Sequence, residues 1–219
     1  MFYIIPTPIG NMKDITLRTL DVLKSLDILY AENTSRTSNL LSHFQITVPN
    51  LRKYTEHKEY RYIPEIISNV EEGKKVGIVS DGGYPIISDP GYKLIREIVE
   101  KNLPFEVLPG ATSIIPALIY SALPPDKFIF IGFLPKSEKK LLDIVNKYKG
   151  ISVVCFESPH RIIKTMNVLS KNFPGMKVTF ASEMTKMFQK IKSGTPCDIL
   201  IYLNDHDNVK GEIVLVFYY

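Results

Sequence analysis

The sequence holds two cysteines, four histidines and no tryptophan in 219 residues. Cys155 and Cys197 are too few for a disulfide framework, so a stapled secreted fold is excluded. No Cys/His group has zinc spacing, and no metal is expected. Cys155 lies inside the apolar run Ile151–Phe156 and reads as a small core side chain. No apolar run approaches the roughly 18–20 residues that span a bilayer. Met1-Phe2-Tyr3-Ile4-Ile5-Pro6 lacks the basic and long apolar regions of a secretory signal and reads as a buried strand. The expected location is cytoplasmic. Also missing are G-x-G-x-x-G after a strand, G-x-x-x-x-G-K-[ST] and a G-x-S-x-G elbow, so any ligand is held in another way.

What is present is ordinary globular composition, with 45% hydrophobic and 23% charged residues in 24.9 kDa. The net charge of +4 is uneven. Residues 1–109 carry 13 basic and 14 acidic side chains, and residues 110–219 carry 14 and 9. An electropositive second half fits a polyanionic partner, and it also fits a set of solvated helix faces.

Strand-like and helix-like segments alternate. Phe2–Ile5, Asp27–Ala31, Lys75–Ser80, Phe105–Leu108, Phe128–Phe133, Ile151–Phe156, Lys177–Ala181 and Glu212–Phe217 are short, apolar and β-branched. Helical periodicity covers Asp14–Ser25, Ile63–Val70, Tyr92–Asn102, Ser113–Leu123, Ser137–Tyr148 and Arg161–Phe173. This predicts an α/β protein with largely parallel sheets. The turn-rich Leu108–Thr112 and the charge shift beside it predict two α/β domains, 1–112 and 113–219. Polar and glycine residues gather at four strand ends: Pro6–Asn11, Ser80–Pro85, Pro109–Ser113 and Glu157–Arg161. Ligands of open α/β sheets bind outside the carboxyl ends of strands. Gly82-Gly83 leaves the backbone there open to a ligand or to positive φ. Ser88-Asp89-Pro90 reads as an N-cap with proline at the first helical position.

Five stretches in this order resemble one family. They are Pro6-Thr7-Pro8-Ile9-Gly10-Asn11 with Asp14–Arg18; Ala31–Thr37 with Leu40-Leu41 and His43-Phe44; Val79–Pro85 with Ser88–Gly91; Gly132–Pro135; and Phe156–Arg161 with Glu183, Thr185-Lys186 and Lys210-Gly211-Glu212. The combination resembles the tetrapyrrole methylases, the class III S-adenosylmethionine-dependent methyltransferases. Within them it is most similar to the bacterial branch that 2′-O-methylates a cytidine ribose in 16S small-subunit rRNA. The resemblance implies two α/β domains with the donor, S-adenosyl-L-methionine, in the cleft between them, and a homodimer. By motif it implies donor contacts at Ile9, Asp81, Gly82, Gly83, Tyr84, Thr112, Ser113, Glu157, Gly211 and Glu212. The chain departs from the family pattern at Asn33, Ser35, Lys58, Gly82, Tyr84, Ser182 and Gln189.

A ribose hydroxyl needs a base as the methyl arrives, and His57, His160, Glu32 and Asp81 are the candidates. Arg36 and Arg161 are two of only six arginines, and their planar forks suit phosphate. They are expected to serve RNA rather than the donor. Two other readings stay open: methylation of a tetrapyrrole-like small molecule, and a donor- or RNA-binding homologue without catalysis.

Overall fold

Short apolar strands build the first of two sheets. In the computed structural model, which describes residues 1–205 and 211–219, β1 (Phe2–Ile4), β2 (Ile28–Ala31), β3 (Asn50–Lys53), β4 (Val76–Val79) and β5 (Phe105–Val107) pair in the order β3-β2-β4-β1-β5. Every pair is parallel. Successive side chains of a strand point to opposite faces, so each face collects alternate residues. Ile5, Leu29, Ala31 and Val79 meet Leu23 of α1 (Leu17–Ser25) and Leu41 of α2 (Thr34–His43). Phe2, Ile4, Ile28, Tyr30, Val76 and Ile78 meet α3 (Glu59–Glu71) and α4 (Tyr92–Glu100) through Ile63, Ile66, Ile67, Leu94 and Ile98. Coverage of both faces is why these strands are apolar at consecutive positions. β1 and β4 are neighbours whose following helices, α1 and α4, lie on opposite faces. Their carboxyl ends therefore flank the crevice that such sheets use for ligands.

The second sheet is mixed. β6 (Phe128–Phe133), β7 (Ser152–Glu157), β8 (Lys177–Ser182), β9 (Lys190–Gly194) and β10 (Ile213–Tyr218) run in the order β6-β7-β10-β8-β9. Only β6 and β7 are parallel; the three other pairs are antiparallel. The expected parallel pairing thus holds throughout the first sheet and for one pair of the second. α5 (Ile114–Ser121) packs on β8 and β10. The core on this sheet joins Val153, Cys155, Phe180, Leu215 and Phe217 to α6 (Glu138–Lys147), α7 (Ile162–Asn172) and α8 (Pro196–Asp205). Cys155 is fully buried there, and burial pushes its thiol well up. The chain divides into two compact units, Met1–Thr112 and Ser113–Tyr219.

Four elements escape the apolar pattern. β3 and β9 are mostly polar, and both are edge strands with one hydrogen-bonded neighbour. α2 and α8 are set instead by their first turns. Asn33 caps α2, and Thr195 and Asp198 bond reciprocally before α8. Ser88-Asp89-Pro90 does not start a helix. Ser88 has φ +65°, and α4 begins three residues later with Gly91 at the cap. The Gly91 N–H donates to the buried Glu59 carboxylate (3.0 Å), which ties the start of α4 to α3. Among the described residues no helix is long and apolar enough to cross a membrane.

Glu59 anchors the chain that leads from the β4 loop into α4. It is only 4% exposed, and it accepts from the Tyr54 hydroxyl (3.0 Å) and from Gly91, with Lys93 at 3.3 Å. Burial and the bond to Glu59 push the Tyr54 phenol far above its ordinary value. Tyr54→Phe removes one donor from a buried carboxylate and should cost about 1–3 kcal/mol. A lower urea midpoint checks it; an unchanged midpoint would show that Glu59 does not need the hydroxyl.

Candidate active site

The loops after β1 and β4 are tied to each other. Thr7 N–H donates to the Gly83 carbonyl (2.9 Å) and Gly83 N–H to the Thr7 carbonyl (2.8 Å), a two-bond antiparallel bridge. Thr7 Oγ1 donates to the Ser80 carbonyl (3.1 Å), and Ser80 Oγ donates to that of Gly83 (3.3 Å). Gly83 has φ +80°, a left-handed conformation that side chains strain. A Cβ there would stand 3.6 Å from Ile9 Cγ2, so Ile9 and Gly83 share one wall. Tyr84 accepts the Gly110 N–H (2.9 Å) on its hydroxyl, which holds the loop after β5 to the same edge. Tyr84, a departure from the expected pattern, is thereby given an anchoring role. Three of the four glycine- and proline-rich junctions follow strands of the first sheet. The fourth, Glu157–Arg161, follows β7 of the second. Thr112 closes the first unit, and Ser113 stands at the cap position of α5.

Charges converge at this edge. Asn33 accepts the N–H groups of Ser35 and Arg36 (3.1 and 3.2 Å), which starts α2 with Arg36 in its first turn. Arg36 Nη1 then donates to Asp81 Oδ2 (2.9 Å). Arg36 was expected apart from the donor loops; the fold binds it to one of them. Asp81 Oδ1 is buried and has no hydrogen-bond partner. A buried acceptor without a donor is costly, so this oxygen marks where a ligand's donor or positive charge is wanted. Glu32 directly follows β2, the strand paired with β4. Its carboxyl is raised by burial and by the Asp81 charge, with Arg36 acting in the opposite direction. His57 is exposed on the 3-10 turn Glu56–Lys58.

In the second unit Glu157 ends β7 with its side chain at 0% exposure. Its Oε1 accepts from Ser158 N–H (2.6 Å) and from Arg161 Nε (2.8 Å) and Nη2 (2.5 Å), and its Oε2 from Thr165 Oγ1 (2.6 Å). Arg161 Nη2 also donates to the Leu134 carbonyl (2.8 Å). The carboxylate is thus satisfied by its own unit, which also engages Arg161 through Nε and Nη2. His160 is exposed, with its backbone N–H on Ser158 Oγ (3.3 Å). A separate cluster forms around Glu183, whose Oε1 accepts from Lys186 Nζ (2.9 Å) and Glu212 N–H (3.3 Å). Gly211 has φ +79°, and a Cβ on it would collide with the Glu183 carboxylate. Lys210 of the same motif lies outside the described residues. Gln189, an apparent departure, staples the loop: its Oε1 accepts from Thr185 N–H (2.7 Å) and its Nε2 donates to Tyr120 Oη (3.4 Å). Sequence reasoning missed Thr165, which carries no motif signal, and gave Thr7 no role although it lies in the first motif stretch; what matters for both is the partner brought by the fold.

The sequence model of the family described as Tetrapyrrole (Corrin/Porphyrin) Methylases matches residues 1–198. A protein of Hydrogenobaculum sp. (strain Y04AAS1) named "Ribosomal RNA small subunit methyltransferase I" is 41% identical over 215 residues, covering 98% of this chain and 94% of its own. A Thermotoga maritima protein of the same name is 38% identical, with 97% and 96% covered. Among solved structures, a cobalt precorrin-4 methyltransferase superposes with TM-score 0.70 at 18% identity, covering 98% of this chain and 93% of that one. The uroporphyrin-III-C-methyltransferase of Thermus thermophilus gives 0.65 at 18%, with the same shares covered. At that identity the likeness is one of fold.

The Glu157–Arg161 pair makes a sharp expectation. Arg161→Ala would strand a fully buried carboxylate, which typically costs about 3–5 kcal/mol. The denaturant midpoint should fall steeply, while Lys164→Ala, exposed on the same helix, should leave it unchanged. Equal midpoints for the two variants would mean that Arg161 is not structural.

Proposed function

The chain belongs to the tetrapyrrole methylase family, and on that premise we propose that it methylates the 2′-oxygen of a cytidine ribose in small-subunit ribosomal RNA. It is a methyltransferase dependent on S-adenosylmethionine. The donor supplies a methyl group bound to a cationic sulfonium, along with an amino acid end and an adenosine. The first sheet's carboxyl edge fits such a molecule. Asp81 Oδ1 is a buried acceptor lacking a donor, and Gly82-Gly83 bare their backbone beside Ile9. We assign Ile9, Asp81, Gly82 and Gly83 to holding the donor, with Tyr84 fixing the loop through Gly110. Thr112, Ser113, Gly211 and Glu212 are carried as further donor contacts by the family resemblance alone. Glu157 has both oxygens engaged within its own unit, where it holds Arg161 and the start of α7.

The RNA assignment is carried by one observation, the similarity over nearly the whole chain to proteins named ribosomal RNA small subunit methyltransferase I. The surplus of basic residues in 110–219 supports it. A tetrapyrrole substrate has only the fold likeness at 18% identity behind it. A loss of catalysis was suggested by Asn33, Ser35 and Gln189, but Asn33 and Gln189 have complete structural roles as cap and staple, and Ser35 N–H is one of the groups that Asn33 caps. A homodimer and a cytoplasmic location go with the same reading.

The donor assignment predicts that Gly83→Val, forced into a left-handed conformation, breaks the Thr7 bridge and weakens S-adenosylmethionine binding at least about tenfold, roughly 1.4 kcal/mol. Calorimetry on the purified chain measures it, and unchanged affinity would remove this loop from the site.

The substrate assignment predicts methyl incorporation into small ribosomal subunits or their rRNA, insensitive to chelators, with none into uroporphyrinogen. RNA affinity should fall with salt at a log–log slope near −0.7 to −0.9 per phosphate contact. Incorporation into the tetrapyrrole alone would overturn the RNA reading.

A further inference from the structure

The carboxyl groups at the strand ends differ in what they have left to offer. Glu157 has both oxygens occupied. Glu183 holds Lys186 and the Glu212 N–H, and Glu212 itself is exposed. Asp81 holds Arg36 on one oxygen and keeps the other for a ligand. Glu32 stands apart: no hydrogen bond from a described residue reaches its carboxylate, although it sits at the same edge, one residue past β2 and beside the Asp81 loop. The two candidate histidines are exposed, His57 on the turn that opens α3 and His160 on a different unit from Asp81.

We propose that Glu32 is the general base of the methyl transfer, taking the proton of the ribose 2′-hydroxyl on a side-chain oxygen. The proposal rests on the RNA reading above and adds the residue that this reading leaves unassigned. In the step the ribose oxygen bonds to the methyl carbon, and the carbon–sulfur pair returns to sulfur. The hydroxyl proton ends on Glu32, from which water removes it. A free hydroxyl is far too weak an acid for a carboxylate to ionise, but its acidity rises steeply as the oxygen–carbon bond forms. A carboxylate poised at the oxygen is then a sufficient acceptor. Two charged groups act on Glu32 from the elements around it, Asp81 from the β4 loop and Arg36 from α2. Burial and then Asp81 raise its proton affinity, and Arg36 lowers it.

The test combines single-turnover methyl transfer to small-subunit rRNA, donor calorimetry and 13C titration of the Glu32 carboxyl in the free protein. Glu32→Gln should lower the rate about 10²–10⁴-fold while the donor dissociation constant moves less than about threefold. Glu32→Asp should recover part of the rate. The wild-type rate should fall with decreasing pH through the Glu32 midpoint, itself above the ordinary glutamate value of about 4.3, and Glu32→Gln should lose that limb. Asp81→Asn should move the carboxyl midpoint down, and Arg36→Ala should move it up. A Glu32→Gln variant with near wild-type rate overturns the base while leaving the RNA reading intact. So does a variant whose rate loss is matched by lost donor affinity. Wild-type protein that binds the donor but methylates no rRNA overturns both.

Discussion

Everything proposed for the donor edge depends on the pair of hydrogen bonds between Thr7 and Gly83. β1 and β4 are parallel, so the chains leaving them would ordinarily diverge toward helices on opposite faces. The bridge makes them run antiparallel for one residue before they part. Gly83 can accept this only because φ +80° costs glycine almost nothing. Once the bridge is made, Asp81 is held two residues away at the rim, and Tyr84 is turned so that its hydroxyl catches Gly110. Three loops from three strands are thereby fixed, two by backbone bonds and the third by the Tyr84 hydroxyl. This leaves a surface of bare peptide and one unsatisfied carboxylate oxygen.

Two acid–arginine pairs, Glu157–Arg161 and Asp81–Arg36, show how burial decides a role. On paper Glu157 is a donor contact and Arg161 a group for RNA. In the fold the carboxylate is wholly out of water and accepts from four donors, the arrangement a buried charge requires. Arg36 and Asp81 are the opposite case. The arginine is well exposed, the pair is joined by one hydrogen bond, and half of the carboxylate is left over. Screening by water makes the second pair weak and exchangeable, which suits a site where a ligand must compete. The first pair suits a hinge of structure that must not move.

Much of the fold was legible because its strands obey simple rules. Runs such as Val76–Val79 and Ile213–Phe217 are apolar throughout since both sheet faces are covered, and nothing but a buried strand explains them at that length. The polar edge strands β3 and β9 were not legible. A strand with one neighbour and mostly exposed side chains needs no hydrophobic pattern, so Asn50–Lys53 and Lys190–Gly194 look like loops. The antiparallel pairing of β8, β9 and β10 was equally hidden, because strand direction depends on how connections route through space and not on the composition of the strand. The cap of α4 was misread for a related reason. Ser88-Asp89-Pro90 has the right local chemistry, but Ser88 turns left-handed and the helix starts at Tyr92, where Gly91 is tied to Glu59 from far away in the chain.

By itself the sequence determined the strands and helices that carry an apolar pattern, that glycine and proline gather at their ends, and which family they resemble, since all three are local or ordered along the chain. Only the tertiary structure decided which charges meet. Glu32, Arg36 and Asp81 come from three different segments and acquire their relation at one sheet edge, where β2 and β4 are neighbours although 44 residues separate Ile28–Ala31 from Val76–Val79. Glu157 and Arg161 are four residues apart, yet their meaning changed entirely once the carboxylate was seen to be dry. Proton affinity, exposure and the presence or absence of a hydrogen-bond partner are set by the neighbours that folding supplies, and no spacing along the chain encodes them.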